Sequence, residues 1–479
     1  MKLVYGVKDK PKFSQLLIFA FQQILAIMAA TIVVPVIING NANLTGANAM
    51  SQSAALFGAG VGTIVYLLFT KFKSPVFLGS SFAFLGPMTA AFTGATTSVA
   101  LGYVGLILGA VFAGLVYVVL AVVVKIAGVK WISKLMPPVV IGPTVAIIGL
   151  SLAGNAISDV TKGNVSHSIG ENWVIENGEP VLKELFAQDA SVFACLACAL
   201  LTLAVVCLSA TYGKKMAKLI PFILGILSGY GLATIFTIIG NAADIPALRI
   251  INFSALTDLF KNVDVSSFVS VPEFTFLTAF GGFKEIDGGY IASVAVAYVP
   301  VAFVVFAEHI ADHKNLSSII ESDLLEEPGL HRTLLGDGIG SIAGAIFGGC
   351  PNTTYGESVG CVAITGNASV VTILTAAIGC ILISFLSPFV AFLSTIPSCV
   401  MGGVCMALYG FIAVSGLKML QKVDLEQNKN LFVTSTILIS GIGGLTLTFG
   451  KVTLTTIAIA LILGILVNIM LSKSPTDAE

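Results

Sequence analysis

The sequence predicts an all-α polytopic membrane protein whose 14 transmembrane segments form two inverted repeats of seven spans. Composition gives the first indication: of 479 residues, 56% are hydrophobic and only 10% are charged, whereas soluble domains usually carry about 25% charged residues. The second indication is a series of apolar segments close to ~20 residues long, the length of helix that crosses a bilayer. Motifs that recur in the second half of the chain give the third. A chain with this apolar composition would expose too much hydrophobic surface in water. The bilayer is therefore its expected environment.

The apolar segments number about 14. Their approximate limits are 13–38, 50–70, 76–95, 99–127, 136–155, 190–211, 217–240, 290–313, 333–350, 352–366, 369–395, 397–417, 430–448 and 452–472. The third and the tenth are weakly hydrophobic and rich in Gly, Ser, Thr and Pro. This composition disfavours a continuous helix. Spans 3 and 10 are therefore predicted to be interrupted by short extended segments.

The basic residues indicate the topology. If the N-terminus is cytoplasmic and the spans alternate, 18 of the 24 Lys and Arg residues fall on the cytoplasmic side, in agreement with the positive-inside rule. The protein is therefore expected in the plasma membrane, with both termini in the cytoplasm and long outer loops at about 156–189 and 241–289. A net charge of −1 without a basic domain argues against a nucleic-acid partner.

Two patterns recur between the halves of the chain. The run Ser80–Ala83 (hydroxyl, hydroxyl, aromatic, small) returns as Thr353–Gly356, and a Pro-x-x-Val-x-Gly pattern that begins at Pro137 returns at Pro397. Because seven is an odd number of spans, the second repeat must be inverted relative to the first. Inverted repeats with interrupted helices at matching positions are typical of secondary transporters. Chance similarity among Gly- and Ser-rich segments is the alternative.

Four acidic residues lie inside predicted spans, where charges are costly and indicate function by default. Glu308 follows a long uncharged run and Glu357 lies in an interrupted span, so both are predicted to be functional. Asp312, one helical turn after Glu308, is open to a functional or a structural interpretation. Asp337 and His313 are interpreted as structural groups that are paired or lie near the membrane interface.

The ends of an interrupted helix offer free backbone N–H groups to a polar ligand. Two such ends with carboxyl groups beside them would suit a planar lactam such as a pyrimidine. Its C=O groups would accept hydrogen bonds from the amides, and its N–H groups would donate to the carboxyl groups. Phe82 and Tyr355 are placed to stack on the ring.

Three motifs resemble signatures of the nucleobase–ascorbate transporter family: Gly79–Phe84, Ala307–Ile310 and, most specifically, Asn352–Gly360. The Thr-Thr-Tyr-Gly-Glu form of the last motif is similar to that of the uracil permease branch. The xanthine and ascorbate branches typically carry Gln-Asn or Pro-Glu before the glycine. The resemblance runs from about Phe13 to Lys473.

The resemblance implies a core domain of spans 1–4 (residues 1–127) and 8–11 (290–395). It implies a gate domain of spans 5–7 (128–240) and of spans 12–14 with a cytoplasmic tail (396–479), and an extracellular loop over 241–289. It also implies a homodimer that imports uracil with protons, by alternating access of the core against the gate. Sodium in place of protons is the open alternative.

The resemblance further implies roles for individual residues. Glu308 and Glu357 match the substrate-binding glutamates of spans 8 and 10. The other expected substrate contacts are Ser81, Phe82, Tyr355 and Gly356. The expected proton-coupling residues are Glu308, Asp312 and Glu357. Uracil permeases often have histidine where this chain has Asp312 and Gln23, so the details of coupling differ from the usual pattern.

Three other functions compete with this interpretation. A xanthine or purine carrier would share the fold. An anion transporter of the related sulfate-transporter fold would favour a basic residue, or none, in place of Glu357. An intramembrane enzyme is the third, because Gly356–Gly360 matches G-x-S-x-G in letters. That motif marks a nucleophile only at an elbow of an α/β sheet, so no catalytic residue, metal or cofactor is expected.

Eight cysteines lie in apolar segments and are interpreted as small lipid-compatible side chains rather than a disulfide framework. Cys195 and Cys198 have C-x-x-C spacing, but no second pair follows and the segment is wholly apolar. The spacing alone therefore gives little support to a metal or redox site.

Overall fold

The structure is a computed structural model that describes residues 3–128, 137–176, 179–214, 216–421, 423–449 and 452–472. Within these ranges the chain is mostly helical. The predicted cytoplasmic loop around Lys130 and the predicted tail after residue 472 lie outside the described residues.

The helices of the described residues are named in chain order. Those of the first half are α1 (Phe13–Asn41), α2 (Gln52–Phe69), α3 (Leu85–Gly94), α4 (Val99–Ala127), α5 (Pro138–Ser151), α6 (Ala153–Asp159), α7 (Val192–Tyr212), α8 (Met216–Leu219) and α9 (Pro221–Ala242). Those of the second half are α10 (Ser254–Leu259), α11 (Thr275–Ala279), α12 (Gly288–Ile320), α13 (Leu330–Gly348), α14 (Gly356–Thr365), α15 (Val370–Ile383), α16 (Ser387–Thr395), α17 (Ser398–Leu420), α18 (Asn428–Ile442) and α19 (Thr456–Met470).

Among the described residues, six strands form three antiparallel pairs. The strands are β1 (Leu78–Ser80), β2 (Ser166–Glu176), β3 (Glu179–Gln188), β4 (Asn352–Thr354), β5 (Leu447–Phe449) and β6 (Val452–Leu454). β1 pairs with β4, β2 with β3 and β5 with β6. The β2–β3 hairpin occupies the predicted outer loop 156–189, for which no secondary structure was expected.

Eight helical stretches of the described chain are long and apolar enough to cross a membrane. They are Phe13–Asn41, Gly46–Phe69, Val99–Ala127, Pro138–Asp159, Val192–Tyr212, Pro221–Ala242, Gly288–Ile320 and Ser398–Leu420. Shorter apolar helices cover Phe82–Gly94, Val370–Ile383 and Thr456–Met470. The protein is thus a multi-pass membrane protein, and the total of 14 spans in two inverted repeats stays a prediction.

The chain forms two compact units, and each draws on both halves of the sequence. The first comprises Met1–Ser151, Val271–Phe385 and Tyr409–Glu479. The second comprises Leu152–Ser270 and Leu386–Leu408. The division into core and gate domains that the motifs imply stays a prediction.

In the first unit, helices α2 and α13 pack backbone to backbone. A Cβ on Gly58 would lie 2.4 Å from the carbonyl oxygen of Gly344, and a Cβ on Gly62 would lie 2.7 Å from that of Gly340. Only glycine leaves room for this approach. Since α2 precedes β1 and α13 precedes β4, this packing brings the two strands together.

Side-chain caps fix where several helices of the first unit begin. The Ser51 hydroxyl accepts a hydrogen bond from the Ala54 N–H at the start of α2. The Asp287 carboxylate accepts one from the Tyr290 N–H, at 2.7 Å, at the start of α12. Such caps satisfy backbone donors that the first helical turn leaves unpaired. The cap at Asp287 therefore fixes the start of the helix that carries Glu308.

Candidate substrate site

Strands β1 and β4 form the centre of the candidate site, and further hydrogen bonds extend the pair at both ends. The Ser81 N–H donates to the Pro351 carbonyl at 2.9 Å, and the Tyr355 N–H donates to the Phe77 carbonyl at 3.2 Å. The two weakly hydrophobic segments thus both contain extended backbone, and their strands meet. Extended backbone was predicted in both; that the segments are interrupted membrane spans stays a prediction.

A helix follows each strand of this pair. A 3₁₀ turn over Phe82–Phe84 leads into α3, and α14 begins at Gly356 directly after Tyr355. Because the strands are antiparallel, the helices that follow them begin at opposite ends of the strand pair. The first amides of a helix have no partner within it. Both helix starts therefore offer N–H groups and the positive end of a helix dipole next to the strand pair.

Polar side chains from α2 and β4 hold the strands in register. The Thr63 hydroxyl accepts from the Leu78 N–H at 2.9 Å and lies 3.2 Å from the Leu78 carbonyl oxygen. The Asn352 amide donates to the Gly58 carbonyl at 3.1 Å. Backbone polar groups away from water need partners of this kind, so these contacts let irregular backbone persist inside the protein.

Ser358 joins the start of α14 to the start of β1. Its buried hydroxyl accepts from the Phe77 N–H at 3.0 Å and is hydrogen-bonded by the side-chain amide of Gln23. These partners make Ser358 a structural link, since neither one can act as a general base. Gln23, which the resemblance singled out as a departure from the usual pattern, therefore positions the Phe77 backbone through Ser358.

Tyr355 lies inside the first unit, with 4% of its surface exposed. Its hydroxyl donates to the Ser80 carbonyl at 2.8 Å. A Cβ on Gly79 would lie 2.4 Å from the Tyr355 ring, so the ring packs directly on the β1 backbone. Tyr355 thereby braces the strand pair in addition to its predicted role as a ring contact.

Phe82 and Ser81 lie where β1 passes into α3. The Phe82 side chain is partly exposed, in contrast to that of Tyr355. The Ser81 side chain is buried, and its hydroxyl has no hydrogen-bond partner among the described residues. Phe82 is therefore the more accessible of the two predicted stacking rings.

Three carboxyl groups belong to the candidate site. Glu308 and Asp312 lie one turn apart on α12, Glu357 lies in the first turn of α14, and all three are partly exposed. The Thr354 hydroxyl donates to Asp312 Oδ2 at 2.8 Å. A Cβ on Gly356 would lie 3.9 Å from Asp312 Oδ1, so Asp312 stands beside the N-terminus of α14.

These carboxyl groups also interact with one another. Glu308 interacts electrostatically with Glu357, and Asp312 with both glutamates. At close range in a low dielectric, like charges are unfavourable. Negative charges on all three groups at once would therefore repel one another.

Helix α12, which carries Glu308 and Asp312, also shares a buried polar network with α13. His309 Nδ1 donates to Asp337 Oδ2 at 2.6 Å, and His309 Nε2 lies 3.0 Å from the Thr333 hydroxyl oxygen. His309 and Asp337 are 0% and 1% exposed. The interpretation of Asp337 as a paired structural group agrees with this geometry, but the pair lies in the protein interior rather than near an interface.

His313 extends the network towards α2. Its Nδ1 donates to the His309 carbonyl at 2.8 Å, and its Nε2 is hydrogen-bonded to the Tyr66 hydroxyl at 2.7 Å. Tyr66 in turn donates to Ser74 at 2.7 Å. The rings of His309 and His313 stack with centroids 4.0 Å apart. His313 is buried like Asp337.

The structure thus brings together every predicted site residue within the first unit, on or beside β1, β4 and the three helices α3, α12 and α14. Thr354 and Thr333 are among the contributors that were not predicted. Thr354, which binds Asp312, could have been suspected because it lies in the same motif as Glu357. The Thr333 contact with His309 left no signal in the sequence, since it depends on the rotation of α13.

Sequence comparison indicates the family to which the chain belongs. The family model Xan_ur_permease, described as a Permease family, matches residues 14–450. The chain is 35% identical over 481 residues to the uracil permease of Bacillus caldolyticus, covering 100% of this chain and 97% of that protein. It is 34% identical to the uracil permease of Bacillus subtilis (strain 168), covering 99% and 97% of the two chains. It is 32% identical to that of Escherichia coli (strain K12), covering 96% and 92%.

Solved structures share the fold at much lower sequence identity. The transmembrane domain of a cyanobacterial bicarbonate transporter, BicA, matches with a TM-score of 0.56 and 15% identity, covering 97% of this chain and all of that one. Murine Slc26a9, an anion transporter in the inward-facing state, matches with a TM-score of 0.60 and 12% identity, covering 97% of this chain and 69% of that one. These likenesses show a membrane-transporter fold.

The family match spans nearly the whole chain, and its relatives are named as permeases, which fits a protein that is not an enzyme. The motif around Glu357, which resembled one family in the sequence, lies where strands β1 and β4 pair. The chain belongs to the nucleobase–ascorbate transporter family of permeases.

Proposed function

We propose that this protein imports uracil across the plasma membrane by proton symport. The observation that carries the proposal is the pair of helix starts of α3 and α14 at the β1–β4 strand pair, with Glu308, Asp312 and Glu357 beside them. Uracil alternates C=O acceptors and N–H donors around a planar ring. Helix-end amides match the acceptors and carboxyl groups match the donors. The uracil permeases named among the relatives support this choice of substrate.

In this proposal the uracil ring lies against the Phe82 side chain, and the backbone N–H of Gly356 donates to one carbonyl of uracil. Glu308 and Glu357 bind its N–H groups. The proposed substrate-binding set is Ser81, Phe82, Glu308, Tyr355, Gly356 and Glu357. Tyr355 also supports the strand pair of the site, because its ring packs on Gly79.

Protons are the proposed driving ions. Neutral uracil does not respond to the membrane potential unless a cation travels with it. Glu308, Asp312 and Glu357 can each take up a proton, and a protonated carboxyl group can donate to a carbonyl as well as accept. Binding of uracil and binding of a proton are then linked, so that each raises the affinity for the other. Alternating access of a core domain against a gate domain, in a homodimer, would complete the cycle.

Reconstitution tests this proposal. Purified protein in proteoliposomes should take up labelled uracil when the outside is made acidic, and a protonophore should abolish that accumulation. Excess unlabelled uracil should compete strongly, and xanthine, thymine and cytosine weakly. Strong competition by xanthine would favour the purine carrier. Uptake that follows an imposed sodium gradient and ignores a pH gradient would overturn the proton mechanism.

A further inference from the structure

The segment that precedes α1 (residues 3–12, here called the strap) pairs with the connection between α14 and α15. Tyr5 and Asn367 form a parallel β-bridge. The Val4 and Tyr5 N–H groups both donate to the Gly366 carbonyl, at 2.7 and 3.2 Å. Both partners belong to the first unit. The strap therefore adds extended backbone at the residue where α14 stops.

Three further hydrogen bonds continue this pairing along the strap. They run from the Ala368 N–H to the Tyr5 carbonyl (2.9 Å), from the Val370 N–H to the Val7 carbonyl (3.1 Å), and from the Ser369 hydroxyl to the Asp9 carbonyl (2.6 Å). Buried backbone groups need partners of this kind. The connection between α14 and α15 thus receives several of its partners from the strap.

Apolar side chains of the strap add to these hydrogen bonds. Leu3 and Val7 pack against a hydrophobic cluster that contains Val359 and Val362 of α14. The same cluster contains Tyr355, which directly precedes α14. Burial of apolar surface favours the docked position of the strap. The strap is therefore held on α14 by side chains as well as by its backbone.

Helix α14 is anchored at both ends. It begins after Tyr355, at the strand pair, and ends at Thr365, after which Gly366 takes the left-handed conformation with φ +66°. The helix has 10 residues, or about 15 Å of length. A helix so short is not stable alone in water, so its place depends on its contacts. Movement of its last turn would be carried to Glu357 in its first turn.

We propose that the strap is a positioning element for uracil binding. By fixing the C-terminal end of α14, it holds Glu357 and the Gly356 N–H in place at the site. The strap contributes no residue to the proposed substrate-binding set and acts through α14. The inference rests on the proposed function for its substrate. A released strap would leave every substrate contact in the protein but would lower the affinity for uracil.

Two substitutions at Val4 test the backbone contact. Val4→Pro removes the N–H that donates to Gly366, whereas Val4→Ala keeps it. The Val4 side chain is 62% exposed, so alanine loses little packing. In purified full-length protein, Val4→Pro should bind labelled uracil about two- to tenfold more weakly, the range expected for one hydrogen bond. Val4→Ala should bind like wild type.

A second pair of variants tests the other end of the strap. Ser369→Ala removes the hydroxyl that donates to the Asp9 carbonyl. Ser384→Ala is the matched control, because its hydroxyl donates to the Ile381 carbonyl of α15 at 2.6 Å. Both serines are 0% exposed. Only Ser369→Ala should weaken uracil binding, and both variants should insert into the membrane.

Hydrogen exchange separates positioning from a general loss of stability. Peptides from α14 should exchange faster in Val4→Pro than in Val4→Ala, and peptides from α3 should exchange alike. Unchanged exchange in α14 would overturn the proposal. Faster exchange or a lower melting temperature with unchanged uracil affinity would also overturn it, because the strap would then be a structural element only. Wild-type protein that bound no uracil would overturn the proposed function, and exchange would still show whether the strap holds α14.

Discussion

The ring of Tyr355 rests on the backbone of Gly79, where an added Cβ would come within 2.4 Å of two ring carbons. Tyr355 follows β4 and Gly79 is the central residue of β1. The contact therefore joins the two extended segments through a side chain as well as through their strand pairing. It leaves no room for a side chain at position 79.

Gly79→Ala is expected to weaken the site. The methyl group must displace the Tyr355 ring or separate the strands, and overpacking of this kind typically costs about 1–3 kcal/mol. Uracil affinity and the melting temperature of the purified protein should both fall. Gly86→Ala is the matched control, because its Cβ would meet only Ile457, at 3.9 Å. Equal behaviour of the two variants would show that the contact is unimportant.

Glu308→Gln and Glu357→Gln are expected to abolish or strongly weaken uracil transport without preventing membrane insertion. Each change removes one charge-assisted hydrogen bond, with a loss of about 1.5–3 kcal/mol, or roughly ten- to hundredfold in affinity. Binding of labelled uracil and uptake are the measurements. Glu326→Gln, at an exposed position, should behave like wild type. Normal transport by both site variants would refute the assignment.

Asp312→Asn is expected to shift the pH dependence of transport more than it lowers the maximum rate. Glu308 and Asp312 lie one turn apart, and two such acids share a proton in a low dielectric rather than ionising together. Removing one acid changes the proton occupancy of the other. Initial rates measured across a pH series give the profile. Thr354→Val, which removes the hydroxyl that binds Asp312, should shift the profile in part. An Asp312→Asn profile that overlays that of wild type would contradict the shared proton.

Thr333→Val is expected to lower the melting temperature of the protein. It takes away the hydrogen-bond partner of His309 Nε2 in the buried network, and an unsatisfied buried group costs about 1–3 kcal/mol. Thr434→Val is the control, because the buried Thr434 hydroxyl has no hydrogen-bond partner among the described residues. If both variants melted alike, the network would not contribute to stability.

The extended segments of predicted spans 3 and 10, and Glu357 within the second of them, could be predicted because each has a strong local signal in the sequence. Runs of Gly, Ser and Thr within apolar segments indicate broken helices, and Glu357 stands out in such a run. The β2–β3 hairpin was missed, although Asn177-Gly178 is a dipeptide typical of tight hairpin turns. That dipeptide lies outside the described residues, but its position in the sequence between β2 and β3 is the signal that could have been used.

Contacts between distant helices were beyond the reach of sequence reasoning. The pairing of His309 with Asp337 depends on how each helix is rotated about its axis. Rotation is set by packing of small residues, such as Gly58 against Gly344, and not by any periodic pattern along one segment. Without a partner helix, a buried histidine looks the same in the sequence whether or not it is paired.

The pairing of β1 with β4 also has a consequence for biosynthesis. More than half of the chain separates the two strands, so the ribosome completes β1 long before its partner exists. Until β4 follows, the Phe77 carbonyl and the Ser81 N–H lack the partners that Tyr355 and Pro351 provide, and lipid cannot supply others. The strand pair can therefore form only after the second half of the chain has been made. Uracil-binding competence would then arise only after the second half of the chain has been inserted.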